Sequence, residues 1–463
     1  VTSRVLVVAG IILVTLGLLV IVRADDGLVR ERDVVAGLPV TTLRPDAEGS
    51  LPAVVVSHGF SASGRLMDGL AIALARDGWL AVVPDHAGHG ANHDSLGDAD
   101  LPAEVAGLVG AVRAGELTDG EEVALVALLG HSMGAGAATQ AAESLGTPVV
   151  ALSLPSAEDL SGDLTALFAV GRLEPSRFGE AAAAAGDLGY PVVTIDGAEH
   201  ISILFRTQTL DEVVTWLAPF ADLDGSAVAA DTRLAGVGAV YLGSALLFWP
   251  VSAAVARHRE QARVVGGARV PPWLGLPLAG VVAGLVLALV PALGTVVPLL
   301  VGGYLAAFFA LTGLVALPLV RRLERPSAAA LPGLGMGAFA VVAVAVPAAL
   351  AWAEVSLSGV RGLSVAVLVV AVTLFAWAEL MLDGGYVAML VGRLLVTAVL
   401  VVLAVVGAAP GFLTLLLPLL ALLLPWFGAY GVRMRDVTGS PLAGALAQAP
   451  SVALLVAVTT PLS

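Results

Sequence analysis

The 463-residue chain contains no cysteine, and all 23 of its basic side chains are arginine. The first absence removes disulfides, zinc–thiolate sites and thiol nucleophiles from consideration, and leaves the redox compartment open. The missing lysine accompanies abundant Ala, Val, Leu and Gly, a compositional bias rather than a functional mark. Charge of either sign is scarce: 13% of residues are charged, 58% are hydrophobic and the mean hydropathy is +0.94. Soluble domains carry about 25% charged residues, so this composition belongs with membrane proteins.

The scarce charge is unevenly divided. Residues 24–233 hold 31 acidic and 10 basic residues, a balance of −21, whereas 234–463 hold six acids against 11 arginines. Nucleic-acid binding depends on neutralising phosphates, so the acidic half argues against that class of partner.

Three blocks follow. Residues 1–23 contain an uncharged run, 5–22, long enough to cross a bilayer. A secretory signal peptide, cleaved near Val22-Arg23-Ala24, is the rival reading. The run exceeds the ~7–15 residues of a signal core, which favours an uncleaved anchor. Residues 24–231 alternate short β-branched runs (53–57, 80–83, 123–129, 149–154, 166–170, 192–195) with Ala-rich helical stretches (65–77, 102–114, 134–145, 176–188, 207–220). This pattern predicts a doubly wound, mostly parallel sheet, led by a hairpin of 29–35 and 38–43 turning at Gly37.

Residues 232–463 hold about eight apolar runs, near 234–256, 273–291, 296–319, 332–352, 363–382, 386–408, 412–430 and 442–462. An all-α transmembrane bundle is expected, with Pro291, Pro298, Pro410 and Pro418 softening its boundaries. Counted from a cytoplasmic Arg4, nine crossings put three arginine clusters (Arg257, Arg259, Arg263 and Arg269; Arg321, Arg322 and Arg325; Arg433 and Arg435) on the cytoplasmic side. That satisfies the positive-inside bias. The same count puts the acidic block outside the cytoplasm, on a plasma-membrane protein.

The chemistry-bearing motif is Gly130-His131-Ser132-Met133-Gly134, after a predicted strand and before a predicted helix. This is the G-x-S-x-G nucleophile elbow in the setting it requires: a sharp turn that projects a serine hydroxyl. Ser57-His58-Gly59-Phe60 follows one predicted strand, and Pro84-Asp85-His86-Ala87-Gly88-His89-Gly90 follows the next. Together these residues resemble the α/β-hydrolase family, especially its esterase-like and serine-aminopeptidase-like members, over roughly 29–220.

The resemblance implies an α/β-hydrolase fold and a site without cofactor or metal. Ser132 would be the nucleophile and His200, after the strand 192–195, the base. The backbone N–H groups of Phe60 and Met133 would form an oxyanion hole, with His58, Gly59, Gly130, His131 and Gly134 shaping the turns. Family order requires an acid between serine and histidine. Glu174 is preferred because Gly171-Arg172-Leu173-Glu174 resembles the family's G-x-x-D turn; glutamate there departs from the commoner aspartate. Asp159, Asp163 and Asp187 are fallbacks, and Asp196 lies too close to His200 along one strand end.

The expected function is hydrolysis of a small-molecule or lipid ester, less readily an amide, through an acyl-enzyme. An acyltransferase acting on a lipid or envelope acceptor, and a non-catalytic membrane binding protein, are the alternatives. The short 155–164 connection leaves little room for a lid, so the site is expected to be open or covered by the membrane or the helices. His86, His89 and His93 with Asp85 and Asp94 read as a hydrogen-bonded turn rather than a metal site. Glu354, Glu379 and Asp383 read as helix-end anchors, and Arg393, inside a predicted helix, requires snorkelling or pairing with Glu379.

Overall fold

A computed structural model of the chain describes residues 2–47, 51–118, 120–160, 163–225, 229–257, 267–357 and 359–463. His258, Arg259, Glu260 and Arg263 lie outside the described residues. The chain divides into two compact units, one of Leu18–Val237 with Ala348–Val355, the other of Val1–Gly17, Gly238–Pro347 and Ser356–Ser463.

After helix α1 (Thr2–Val22), the first unit is built on one eight-stranded sheet: β1 (Leu28–Val35), β2 (Leu38–Pro45), β3 (Ala53–Ser57), β4 (Leu80–Pro84), β5 (Val126–His131), β6 (Val149–Leu152), β7 (Ala166–Gly171) and β8 (Val192–Ile195). The spatial order is β1-β2-β4-β3-β5-β6-β7-β8. The leading hairpin is antiparallel and β4 to β8 run parallel. Strands β3 to β7 are buried along their whole length. That burial explains their unbroken apolar sequence, as parallel strands are covered on both faces.

Helices α2 (Asp68–Asp77), α3 (Leu101–Arg113), α4 (Met133–Leu145), α5 (Ser176–Asp187) and α6 (Thr207–Leu217) supply that cover. Leu70, Leu74, Val213 and Leu217 of α2 and α6 join one core, and Val105, Leu108, Ala138 and Ala141 of α3 and α4 join the other. This is the α/β-hydrolase arrangement expected from the sequence.

Several strand ends differ from expectation. β5 starts at Val126 because its register with the five residues of β3 pairs Ala53 with Val126, and it runs on to His131, opposite Leu152 of β6. β6 stops at Leu152 because Ser153 turns to φ +53°.

The long helices are α7 (Arg233–Ala256), α8 (Pro272–Leu289), α9 (Gly302–Ala316), α10 (Leu331–Ala351), α11 (Gly359–Met381), α12 (Gly385–Val405), α13 (Leu413–Thr438) and α14 (Pro441–Val458). With α1, nine spans among the described residues are long and apolar enough to cross a membrane. α9 is shorter than the predicted 296–319: it starts at Gly302 and passes into a 3-10 turn at Leu317–Leu319, where Pro318 falls. α13 is longer than 412–430 because Arg433 and Arg435 are hydrogen-bonded within the helical unit and need not end it.

Within this unit α1 and α7 approach closely at two glycines: a Cβ at Gly10 would lie 2.8 Å from the Gly243 carbonyl oxygen. Small residues permit such backbone approach between apolar helices. Arg393 is buried and paired with Glu379 at 2.5 Å, and it also donates to Gln448 Oε1 at 2.6 Å. Glu379 is thus an internal partner rather than a helix-end anchor. α14 is held at both ends. Glu324 accepts from the Leu442 N–H and the Ser440 hydroxyl at its start, and Arg361 donates to the Ala457 and Thr460 carbonyls at its end.

Candidate active site

Ser132 occupies the one-residue turn between β5 and α4, with φ +54° and ψ −118°. A side-chain-bearing residue is rarely found there, and such strain persists only where its surroundings impose it. The surroundings are tight. A Cβ at Gly134 would come within 2.5 Å of the Ser57 and His58 carbonyl oxygens, and one at Gly130 would strike the Gly134 carbonyl. The bend itself is anchored by Ser132 N–H donating to Leu152 O at 2.9 Å.

His200 approaches this serine from the loop after β8. Its Nε2 is 3.0 Å from Ser132 Oγ, and its Nδ1 is 2.9 Å from Glu174 Oε2. Glu174 stands in the turn after β7, where its second oxygen accepts from Gly171 N–H and from the Ser153 hydroxyl, both at 2.7 Å. One carboxylate oxygen is therefore committed to the scaffold and the other to the imidazole. The fallback acids lie elsewhere: Asp159, Asp163 and Asp187 are exposed, and Asp196 pairs with Arg172.

The imidazole is fixed on two further sides. His131 Nε2 is 2.8 Å from the His200 carbonyl oxygen, and the Phe178 ring of α5 stacks on His200 with centroids 4.2 Å apart. Burial, reinforced by the nearby His200, pushes His131 down to about 3. His131 is therefore neutral near pH 7, so its Nε2 carries the proton donated to His200 and no second cation crowds the imidazole.

Beside the serine, a Cβ at Gly59 would lie 3.1 Å from Ser132 Cβ, so the Ser57-His58-Gly59-Phe60 segment passes directly alongside the hydroxyl. Phe60 is buried. Met133 is the first residue of α4, where backbone N–H groups have no partner within the helix. His58 is held by a donor bond from Nδ1 to Gly59 O at 2.9 Å and by His86 N–H donating to its Nε2 at 3.1 Å. Burial, with His89 and His86 adding, holds His58 well below its usual value.

The expected histidine turn is hydrogen-bonded at Asp85, His86 and His89. His86 Nδ1 lies 3.0 Å from Glu104 Oε2, His89 Nδ1 lies 2.8 Å from Ala87 O, and Asp85 accepts from Gly64 and Ala91 N–H. Among the described residues, no group of three or more His, Cys, Asp and Glu has a metal-holding arrangement.

Sequence reasoning missed two residues. Ser153 has no motif around it, and only its place at the end of the strand beside the acid's strand could have marked it. Phe178 lies two residues into α5, between Arg177 and Gly179, and no motif marks it.

Among protein-family models, residues 50–157 match one described as serine aminopeptidase, S33. No curated protein matches the chain. Similar solved structures include a putative dienelactone hydrolase from Klebsiella pneumoniae subsp. pneumoniae (17% identity, 42% of this chain and 99% of that one, TM-score 0.35). Another is a predicted CIB-like hydrolase from Thermoplasma acidophilum (18%, 42% and 97%, TM-score 0.34). A third is a dienelactone hydrolase from Anabaena variabilis (18%, 42% and 98%, TM-score 0.35). Likeness at this level says nothing of substrate. The matched family model and the sheet that carries the serine turn make this chain a hydrolase with an α/β-hydrolase domain.

Proposed function

We propose that the chain is a membrane-anchored serine hydrolase that cleaves an ester through an acyl-enzyme. The observation that carries the reading is the pair of contacts on one imidazole, 3.0 Å to Ser132 Oγ and 2.9 Å to Glu174 Oε2. Each separation is within hydrogen-bond reach, the first requirement for a nucleophile, base and orienting acid.

The chemistry follows from the arrangement. Ser132 Oγ attacks the acyl carbon while His200 Nε2 takes the hydroxyl proton. Glu174 holds the opposite N–H and stabilises the imidazolium. The charge that develops on the carbonyl oxygen is met by the N–H groups of Phe60 and Met133. His200 then gives its proton to the departing alkoxide, leaving the acyl group on Ser132. In the second half His200 takes a proton from water, hydroxide equivalent adds to the acyl carbon, and the acid leaves as Ser132 regains its proton.

The helices α1 and α7 to α14 provide the anchor. With the side of Arg4 cytoplasmic, the arginine clusters fall inside and the hydrolase domain outside the cytoplasm. The deciding experiment is labelling with a fluorophosphonate, which reacts with activated serines. The wild type should label and Ser132→Ala should not; equal labelling of the two would end this reading. Because the matched family description names an aminopeptidase, the substrate panel should include aminoacyl amides beside esters of several acyl lengths. Esters are expected to turn over faster.

A further inference from the structure

Just past the segment that runs alongside Ser132, the chain is held by carboxylates from distant places. Gly64 N–H donates to Asp85 Oδ1 at 2.8 Å. The Ser63 hydroxyl accepts at 2.9 Å from the backbone N–H of Glu354, in the loop after α10, 291 residues away in sequence. The Glu354 carboxylate lies 3.0 Å from Arg32 of β1 and 3.9 Å from Arg65. Arg65 in turn reaches the buried Asp68 at 3.2 Å, which also meets Arg30 at 3.0 Å and Arg233 at 3.4 Å.

Asp25 and Asp231 complete a network of four arginines and four carboxylates. All eight residues lie in the hydrolase unit. They come from segments that adjoin the end of α1, the start of α7 and the end of α10. Crossing parity from the same arginine clusters sends all three segments to the side of the hydrolase domain.

A surface ion pair is worth little, but this one differs in what it restrains. Ser61, between Phe60 and the clamped Ser63, sits at φ +65°. A chain that leaves Phe60 through a strained residue keeps its direction only if it is tied shortly afterwards. The ties available are Ser63 to Glu354 N–H, Gly64 to Asp85 and Arg65 to Glu354 and Asp68. Two of these depend on the loop between α10 and α11.

We infer that Glu354 is a positioning residue for the segment that carries the Phe60 N–H, acting through its backbone N–H on Ser63 and its carboxylate on Arg65, so that the α10–α11 loop completes the active site. The inference rests on the serine-hydrolase reading above. Its consequence is that the long helices do more than anchor: one of their connections sets the oxyanion donor.

The test uses the full-length protein in detergent, a short-chain p-nitrophenyl ester and a fluorophosphonate to count reactive Ser132 sites. Glu354→Ala and Ser63→Ala should each lower kcat per titrated site by about tenfold while KM stays within about twofold, since a small misplacement of a catalytic donor chiefly weakens transition-state binding. Glu354→Gln, which retains shape and loses charge, should fall between. Because Glu354→Ala keeps the backbone N–H that Ser63 accepts from, the two variants remove separate ties on one segment, and the Ser63→Ala/Glu354→Ala double variant should be slower than either single one. If the variants only reduce the number of titrated sites, with kcat per site unchanged, the residue merely supports folding and this inference is overturned alone. If wild-type Ser132 does not label at all, both readings are overturned.

Discussion

Ser153 donates its hydroxyl to Glu174 Oε1 at 2.7 Å, and that bond turns the other carboxylate oxygen toward His200. The glutamate is one methylene longer than the usual aspartate, and the extra length is taken up by folding Oε1 back onto Ser153 and Gly171. Ser153→Ala should therefore lower kcat/KM about tenfold, the size of one hydrogen bond to a charged acceptor. Glu174→Asp, too short to serve both ends, should cost about 100-fold. Glu174→Gln, which offers the imidazole a poor partner, should approach 10⁴-fold in kcat, as expected for removing a triad acid (order of magnitude). Ester kinetics normalised to titrated sites would measure all three; a Ser153→Ala enzyme at full rate counts against the clamp.

Acid should destabilise the hydrolase unit from a predictable pH. His131 and His58 are buried and neutral in the fold, with His131 at about 3. Unfolded, each takes up a proton below about pH 6.5. Their contribution is complete above that value and is lost as pH falls toward the folded values, by about 1.4 kcal/mol per pH unit per group. Burial pushes Asp85 up, so it works in the opposite sense just above the ordinary aspartate range. Brief heating at stepped pH, with surviving fluorophosphonate labelling as readout, should give a midpoint that drops below pH 6.5. His131→Gln should make the slope shallower. A midpoint constant down to pH 4.5 would contradict this.

Arg393→Leu should damage the helical unit severely. It strands the Glu379 carboxylate among apolar helices, and breaking a buried pair costs about 3–5 kcal/mol. Arg393→Met combined with Glu379→Gln should recover most of the loss. The yield of folded protein after detergent extraction is the measurement, and a double variant as poor as the single one would argue against direct pairing.

The absence of cysteine makes orientation easy to probe. Glu116 in the hydrolase unit and Arg322 after α9 are both exposed. With a membrane-impermeant maleimide on intact cells, Glu116→Cys should label directly and Arg322→Cys only after permeabilisation. The reverse pattern would invert the proposed topology.

The parts legible in the sequence were those governed by local rules. Gly130 and Gly134 flank a turn that admits no Cβ, and the turn follows a strand and opens a helix, so the elbow could be read from five residues. The buried strands announced themselves as unbroken apolar runs. Glu174 needed a family resemblance, because Ser132, Ser153, Glu174 and His200 come from the ends of four different strands and no spacing links them. Glu354 misled for the same reason. Hydropathy placed it at a helix end, while its partner Arg32 lies 322 residues away. Arg433 and Arg435 read as a loop cluster because Ser252 and Trp249, which receive Arg433, and Asp383, which pairs with Arg435, lie far off in the chain.

The tethering of α14 has a mechanical consequence. A helix advances 1.5 Å per residue, so sliding this one along its axis by even a single step would pull Leu442 off Glu324 and Ala457 off Arg361 together, and would drag Gln448 from Arg393 midway. A rod bolted at its head, waist and foot does not ratchet. α14 is thereby fixed lengthwise against its neighbours, ill suited to a piston-like stroke.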